Sequence, residues 1–258
     1  MGFLMEHATL QDRTVVIVGG TTGLGLSAAK ACVRAGASVV VCGRNPESAA
    51  SAEQVLGSAA RVLVADATDP GIAEAAIQMA LDRFDRFDSL YHVAGGSGRR
   101  AGDGPLHEAT DDGVEATLRH NLTSLIYSNR AAVRVFLERG TGGSVLNMGS
   151  VLGWSPSPQF FATHVYAAAK SAIIGFTKSC AAYYAPHDIR FNVIAPALVD
   201  TPMAGRAVGD EAIQRFIRTK QPLDGGRSMA AASAGRKTST QRWCFFFRRA
   251  RAMSPSRC

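Results

Sequence analysis

Thr14-Val15-Val16-Ile17-Val18-Gly19-Gly20-Thr21-Thr22-Gly23-Leu24-Gly25 is the stretch whose reading decides the fold. Its first five residues form a continuous apolar, β-branched run, the pattern of a strand buried on both faces of a parallel sheet. Glycines follow, and residues 26–36 then read as an Ala-rich helix closed by Gly36 at the C′ position. Such a turn lets backbone approach a ligand closely, and the helix start presents free N–H groups and partial positive charge. It suits a pyrophosphate; the alternative is a glycine-rich turn without a ligand. The GxxxGxG spacing of Gly19, Gly23 and Gly25 differs from the common GxGxxG dinucleotide fingerprint. No Gly-Lys-Ser/Thr follows, which disfavours a P-loop nucleotidase.

Outward from this unit, strand and helix signals alternate. Strands are expected over 38–42, 61–65, 89–94, 144–148 and 189–194. Helices are expected over 47–56, from Pro70 to about residue 82, from the capping run Thr110-Asp111-Asp112 to about residue 138, and over 164–184. Repeated βαβ units of this length predict an α/β fold, a Rossmann-type doubly wound parallel sheet in three layers. There are no internal repeats.

The chain has 258 residues, of which 47% are hydrophobic and 19% charged, which excludes a disordered chain. No apolar run reaches the roughly 18–20 residues of a membrane span, and the first 13 residues lack the pattern of a secretory signal. Cys32, Cys42, Cys180, Cys244 and Cys258 form no close pair, so they read as reduced, cytoplasmic residues without a metal framework. The net charge of +7 raises an anionic polymer or membrane as partner. Its distribution removes that suggestion from the body of the chain. Residues 1–226 hold 20 basic and 21 acidic side chains, whereas 227–258 hold eight basic and no acidic ones. The expected organisation is one domain over 1–226 and a basic, irregular tail over 227–258. The tail lacks a repeat, heptad or reader motif, so no nucleic-acid partner is expected.

Tyr166 and Lys170 stand at i and i+4 on one helix face. A cation beside a phenol stabilises phenolate and lowers a pKa that is ordinarily about 10; a solvated pair is the alternative. Taken with the glycine loop, this pair makes residues 10 to 226 resemble the short-chain dehydrogenases/reductases. The resemblance implies hydride exchange between a nicotinamide cofactor and a carbonyl or secondary alcohol. Tyr166 is then the proton donor and acceptor, Lys170 tunes it and binds the nicotinamide ribose, Ser150 orients the substrate oxygen, and Asn121 matches a proton-relay member.

The same resemblance assigns cofactor contacts to Gly19, Thr21, Thr22, Gly23, Leu24, Gly25, Asp66, Ala67, Ala94, Gly95, Val199 and Thr201. His92 and Val93 depart from it, replacing two asparagines. Gly43 stands where NAD users often carry Asp, and Arg44 follows it. A guanidinium pairs bidentately with phosphate, so NADP(H) is the expected cofactor, with NAD(H) as the alternative; Arg44 stacked on adenine or turned to water is the competing reading. Asp66 and Ser150 also admit plain turn-capping roles. Residues 203–219 are expected to form mobile helices over the substrate. The family resemblance stops after Gly226, which suggests a shifted reading frame, loss of the last strand and doubt over a homo-oligomer of two or four chains. A catalytically impaired dinucleotide binder is therefore the alternative function. Relatives acting on 3-oxoacyl carrier-protein substrates are the mild preference, and Arg99 and Arg100 are candidates for attracting an acidic carrier.

Overall fold

A computed structural model describes residues 10–220. The expectations placed on 221–258, namely the basic tail, its break in frame and the missing final strand, lie outside the described residues.

Six strands are found there: β1 (Thr14–Val18), β2 (Ser38–Gly43), β3 (Ala60–Val64), β4 (Ser89–His92), β5 (Gly143–Met148) and β6 (Ile189–Ile194). They form one parallel sheet in the order β3-β2-β1-β4-β5-β6. The helices are α1 (Gly23–Arg34), α2 (Pro46–Leu56), α3 (Ile72–Phe84), α4 (Asp111–Leu118), α5 (Ser124–Arg139), α6 (His164–Tyr184), α7 (Gly205–Val208) and α8 (Glu211–Lys220). This is the expected doubly wound fold. Its chain reverses direction of travel between β1 and β4, where a ligand crevice opens at the strands' carboxyl ends.

The pleat of β1 explains the two cores. Val15 and Ile17 join Val39, Val41 and the small residues Ala28, Ala29, Ala31 and Cys32 of α1 on one face. Val16 and Val18 join Val40, Ala76 and Ile77 of α3, and Ala132 and Phe136 of α5 on the other. Adjacent residues thus serve opposite cores, which is why the run cannot alternate with polar residues.

Boundaries moved for local reasons. Expected to reach Ala94, β4 stops at His92, because the Val93 and Ala94 N–H groups both turn onto the Val18 carbonyl, each at 2.9 Å. Pro70 lies ahead of α3, since Asp69 closes a turn by accepting from Gly71 N–H at 2.9 Å. Thr110 does cap α4, accepting from Gly113 N–H at 3.0 Å. The single long helix expected beyond it is interrupted by one π-helical turn, Arg119–Thr123, between α4 and α5.

Candidate functional site

A cleft of about 1080 Å³ runs across the carboxyl ends of β1, β2, β4 and β5. Its walls include Gly19, Thr21, Thr22, Gly23, Leu24, Gly25, Arg44, Asp66, Ala67, Ala94, Gly95, Ser150, Tyr166, Lys170, Val199 and Thr201. The fold therefore gathers into one cavity every residue singled out above for cofactor binding. Asn121 lies just behind the wall.

The glycine loop is shaped by close approach. Gly19 has φ +91°, and a Cβ there would stand 2.6 Å from Ala94 N, while one at Gly25 would strike the Gly19 carbonyl. The chain can pass here only without side chains. At the start of α1, Thr22 makes no side-chain cap and the first turn holds no acid, so its N–H groups remain available to an anion. These features fit a dinucleotide's pyrophosphate. Gly43 is equally constrained, because a Cβ would collide with Thr21 Oγ1. Beside it, Arg44 is 72% exposed and stands 3.9 Å from Asp66. Asp66 accepts from Thr68 N–H and Oγ–H at 2.9 Å each, and these bonds, chiefly the backbone one, hold its carboxyl below the usual range. Asp66 thus makes a turn while still facing the cleft.

At the other end, α6 presents Tyr166 and Lys170 to the loop that leaves β5. Lys170 is buried and donates from Nζ to the Met148 carbonyl at 2.9 Å. Burial pushes its pKa from 10.5 down to about 8. Ser150 accepts from Leu152 N–H at 3.2 Å, which is the turn-capping role that the sequence admitted, and it also hydrogen-bonds Tyr166. The lowered phenol expected from the neighbouring cation is corrected. Burial is the larger effect and raises the Tyr166 pKa, and the bond to Ser150 offsets it only in part. Lys170 Nζ lies over the Tyr166 ring, 5.5 Å from its centroid, so its charge meets the ring face.

Asn121 falls in the π-helical turn. Its side chain is tied to Gly96 in both directions, donating to the carbonyl at 2.9 Å and accepting from the N–H at 3.1 Å, and it also donates to the Thr117 carbonyl. A Cβ on Gly95 would lie 2.7 Å from Asn121 Oδ1 and 3.3 Å from Lys170 Nζ, which sets the three side by side.

Three participants escaped the sequence reading. Asp103, buried in the loop after β4, accepts from Val165 N–H at 3.1 Å and Tyr166 N–H at 2.8 Å. It caps α6 through the N–H of Tyr166 itself, and nothing in its Gly-Asp-Gly surroundings announces that. His120 lines the cleft, with a pKa lowered first by burial and then by Arg44, against the pull of Asp66. Its adjacency to Asn121 was the available signal. His92, noted only as a departure, is fully buried beside Ser128 Oγ at 2.9 Å, and burial drives its pKa to about 3.

Among the described residues there is no group of three or more metal-ligating side chains, and no helix is long and apolar enough to cross a membrane.

Known proteins resemble this chain in sequence and in fold. A family model described as short chain dehydrogenase matches residues 13–212. Momilactone A synthase of Oryza sativa subsp. japonica is 34% identical over 225 residues, covering 86% of this chain and 80% of that protein. The 3beta-hydroxysteroid dehydrogenase 2 of Eggerthella lenta is 32% identical over 239 residues, covering 92% and 84%. Among solved structures, a gluconate 5-dehydrogenase from Burkholderia cenocepacia in complex with NADP and tartrate superposes with a TM-score of 0.79 at 28% identity. That match covers 93% of this chain and 90% of the other.

Proposed function

Because this chain belongs to the short-chain dehydrogenase family and is an NAD(P)-dependent oxidoreductase, we propose that it interconverts a small-molecule carbonyl and secondary alcohol with NADP(H), Tyr166 exchanging the proton. The observation that carries the proposal is the meeting of Ser150, Tyr166 and Lys170 on one wall of a cleft whose other end is the glycine loop.

When bound, the nicotinamide supplies or accepts the hydride. Everything else falls to the chain. The Ser150 hydroxyl, fixed by the turn it caps, holds the substrate oxygen and the negative charge that develops on it. With its pKa held up by burial, Tyr166 keeps its proton at neutral pH, which makes it a donor for carbonyl reduction. Lys170 at about 8 is mostly protonated at pH 7, and its charge favours the phenolate left behind. Asn121, pinned through Gly96, would hold the backbone after β4 in place beside a bound cofactor.

For the cofactor, Gly43 and Arg44 are the relevant pair. The acid that would grip two ribose hydroxyls has no room at position 43 while Thr21 keeps its place, and Arg44 is exposed at the next position to meet a 2′-phosphate. The NADP named with the Burkholderia structure is in keeping with this.

The test is a panel of ketones and alcohols assayed with both cofactors. Tyr166→Phe should lower kcat by about 10²-fold or more while calorimetric NADPH binding persists; retained turnover overturns the assignment. Arg44→Ala should cut kcat/KM for NADPH by about tenfold or more, the loss of a charge-assisted pair, and leave NADH nearly unchanged. Equal use of both cofactors before and after that substitution refutes the NADP preference.

A further inference from the structure

The cleft is electrically one-sided. Arg44, Arg99, Arg100, Lys170, Arg206 and Lys220 line it, and among the described residues Asp66 is its one acidic wall residue, although residues 1–226 are close to neutral. Two of these cations are accounted for, since Arg44 faces Asp66 and Lys170 is buried against Met148. The other four make no ion pair among the described residues.

They also sit on elements joined to the segment that carries Tyr166. Arg206 donates from Nη2 to the Phe160 carbonyl at 3.0 Å and rests over the Phe161 ring, 5.8 Å from its centroid. Lys220 lies 5.7 Å from the centroid of Phe216, which packs against Phe160 at 5.3 Å. Two cations and three phenyl rings therefore form one patch, where α7 and α8 meet the segment between Ser150 and Tyr166. Arg99 and Arg100 belong to the loop that Asp103 fastens to the first turn of α6.

We propose that these four cations form an anion subsite at the substrate mouth of the cleft, and that the substrate is a carbonyl or alcohol compound with an apolar body and a carboxylate. The inference rests on the oxidoreductase reading above. A guanidinium whose face lies on a ring keeps its N–H edge free for a carboxylate. Phe161 and Phe216, which line the cleft with Trp154 and Met203, suit the apolar body. One exposed ion pair contributes little, but four like charges around a concave site add their fields. The gain therefore belongs in substrate capture, and so in KM.

The experiment uses the full chain with NADPH and NADH. It assays 6-oxoheptanoate, 9-oxodecanoate and 4-acetylbenzoate, each against its own methyl ester. For at least one pair, the acid should exceed the ester about tenfold in kcat/KM, through KM, at low ionic strength. The advantage should shrink toward equality in about 0.5 M NaCl. The acid-to-ester ratio should also collapse in R206A/K220A or R99A/R100A, and survive in Arg83→Ala, which removes a charge outside the cleft. Equal use of acid and ester across all pairs overturns the proposal, as does an acid preference indifferent to salt and to both double substitutions. Calorimetry of acid and ester on the enzyme with NADP⁺ gives a readout independent of turnover. Tighter binding of the acid supports the subsite and equal binding refutes it. Failure to turn over any carbonyl or alcohol refutes the oxidoreductase assignment but leaves that binding comparison standing.

Discussion

Lys170 shows how a single residue is held at a cost in stability. Its pKa of about 8 in the fold, against 10.5 for a free lysine, means that burial opposes its charge. At 1.36 kcal/mol per unit this is about 3 kcal/mol of native-state penalty at neutral pH. The penalty is complete below pH 8, where folded and unfolded chains are both protonated. It fades as pH rises from 8 to 10.5, because the folded lysine loses its proton first. Lys170→Met should therefore stabilise the protein at pH 7 by about 1–2 kcal/mol, after the bond to the Met148 carbonyl is lost, and should abolish turnover. Urea unfolding at pH 7 and near pH 10.5 checks this: the stabilisation must shrink at the higher pH. A variant less stable than the parent at pH 7 contradicts the argument.

Among the elements, α6 depends on a residue 62 positions away in sequence. Thr163, at its N-cap position, makes no side-chain cap. The Asp103 carboxylate satisfies two N–H groups of the first turn and places negative charge at the positive end of a 21-residue helix. The same contact fastens the loop after β4 to the turn that carries Tyr166. Asp103→Ala should lower stability by about 1–2 kcal/mol and depress kcat more than the KM for NADPH. Asp103→Asn, which keeps one acceptor, should recover part of both, as thermal unfolding and steady-state kinetics will read. The π-helical turn acts at the same scale, since it separates α4 from α5 and brings Asn121 to Gly96.

For the whole molecule, buried titratable groups shape stability against pH. His92 is uncharged in the fold, with a pKa of about 3 set chiefly by burial. The unfolded chain binds its proton near pH 6.5, so native stability should fall as pH drops from 6.5 toward 3. Asp88 adds to this at lower pH. Burial raises its carboxyl, but hydrogen bonds from Arg86, Thr14 N–H and Arg13 together hold it below 3.8. Its contribution is present above the unfolded value and lost as pH falls through the folded one. His92→Asn should flatten the limb between pH 6 and 4 and leave the steeper fall below it. An unchanged profile in denaturant unfolding across that range would sink the assignment.

Much of this molecule was legible from local pattern. The run Thr14 to Val18, the glycines after it and the Tyr166–Lys170 spacing each carry their meaning within a few residues, because strand burial, tight turns and helix faces follow short periods. The parallel doubly wound sheet, the family and the membership of the cleft were readable for that reason. What escaped depends on neighbours brought together from afar. Asp103 reaches a helix 62 residues on, His92 finds Ser128 at a separation of 36, and Gly43 excludes a side chain because Thr21 packs against it. The direction of the Tyr166 pKa belongs here too, since burial raises it and the bond to Ser150 offsets that only in part. The sequence by itself determined the doubly wound sheet and the residues that meet at its carboxyl edge. Only the tertiary structure decided which of them are charged, capped or excluded, because desolvation and steric fit arise only once distant segments are packed together.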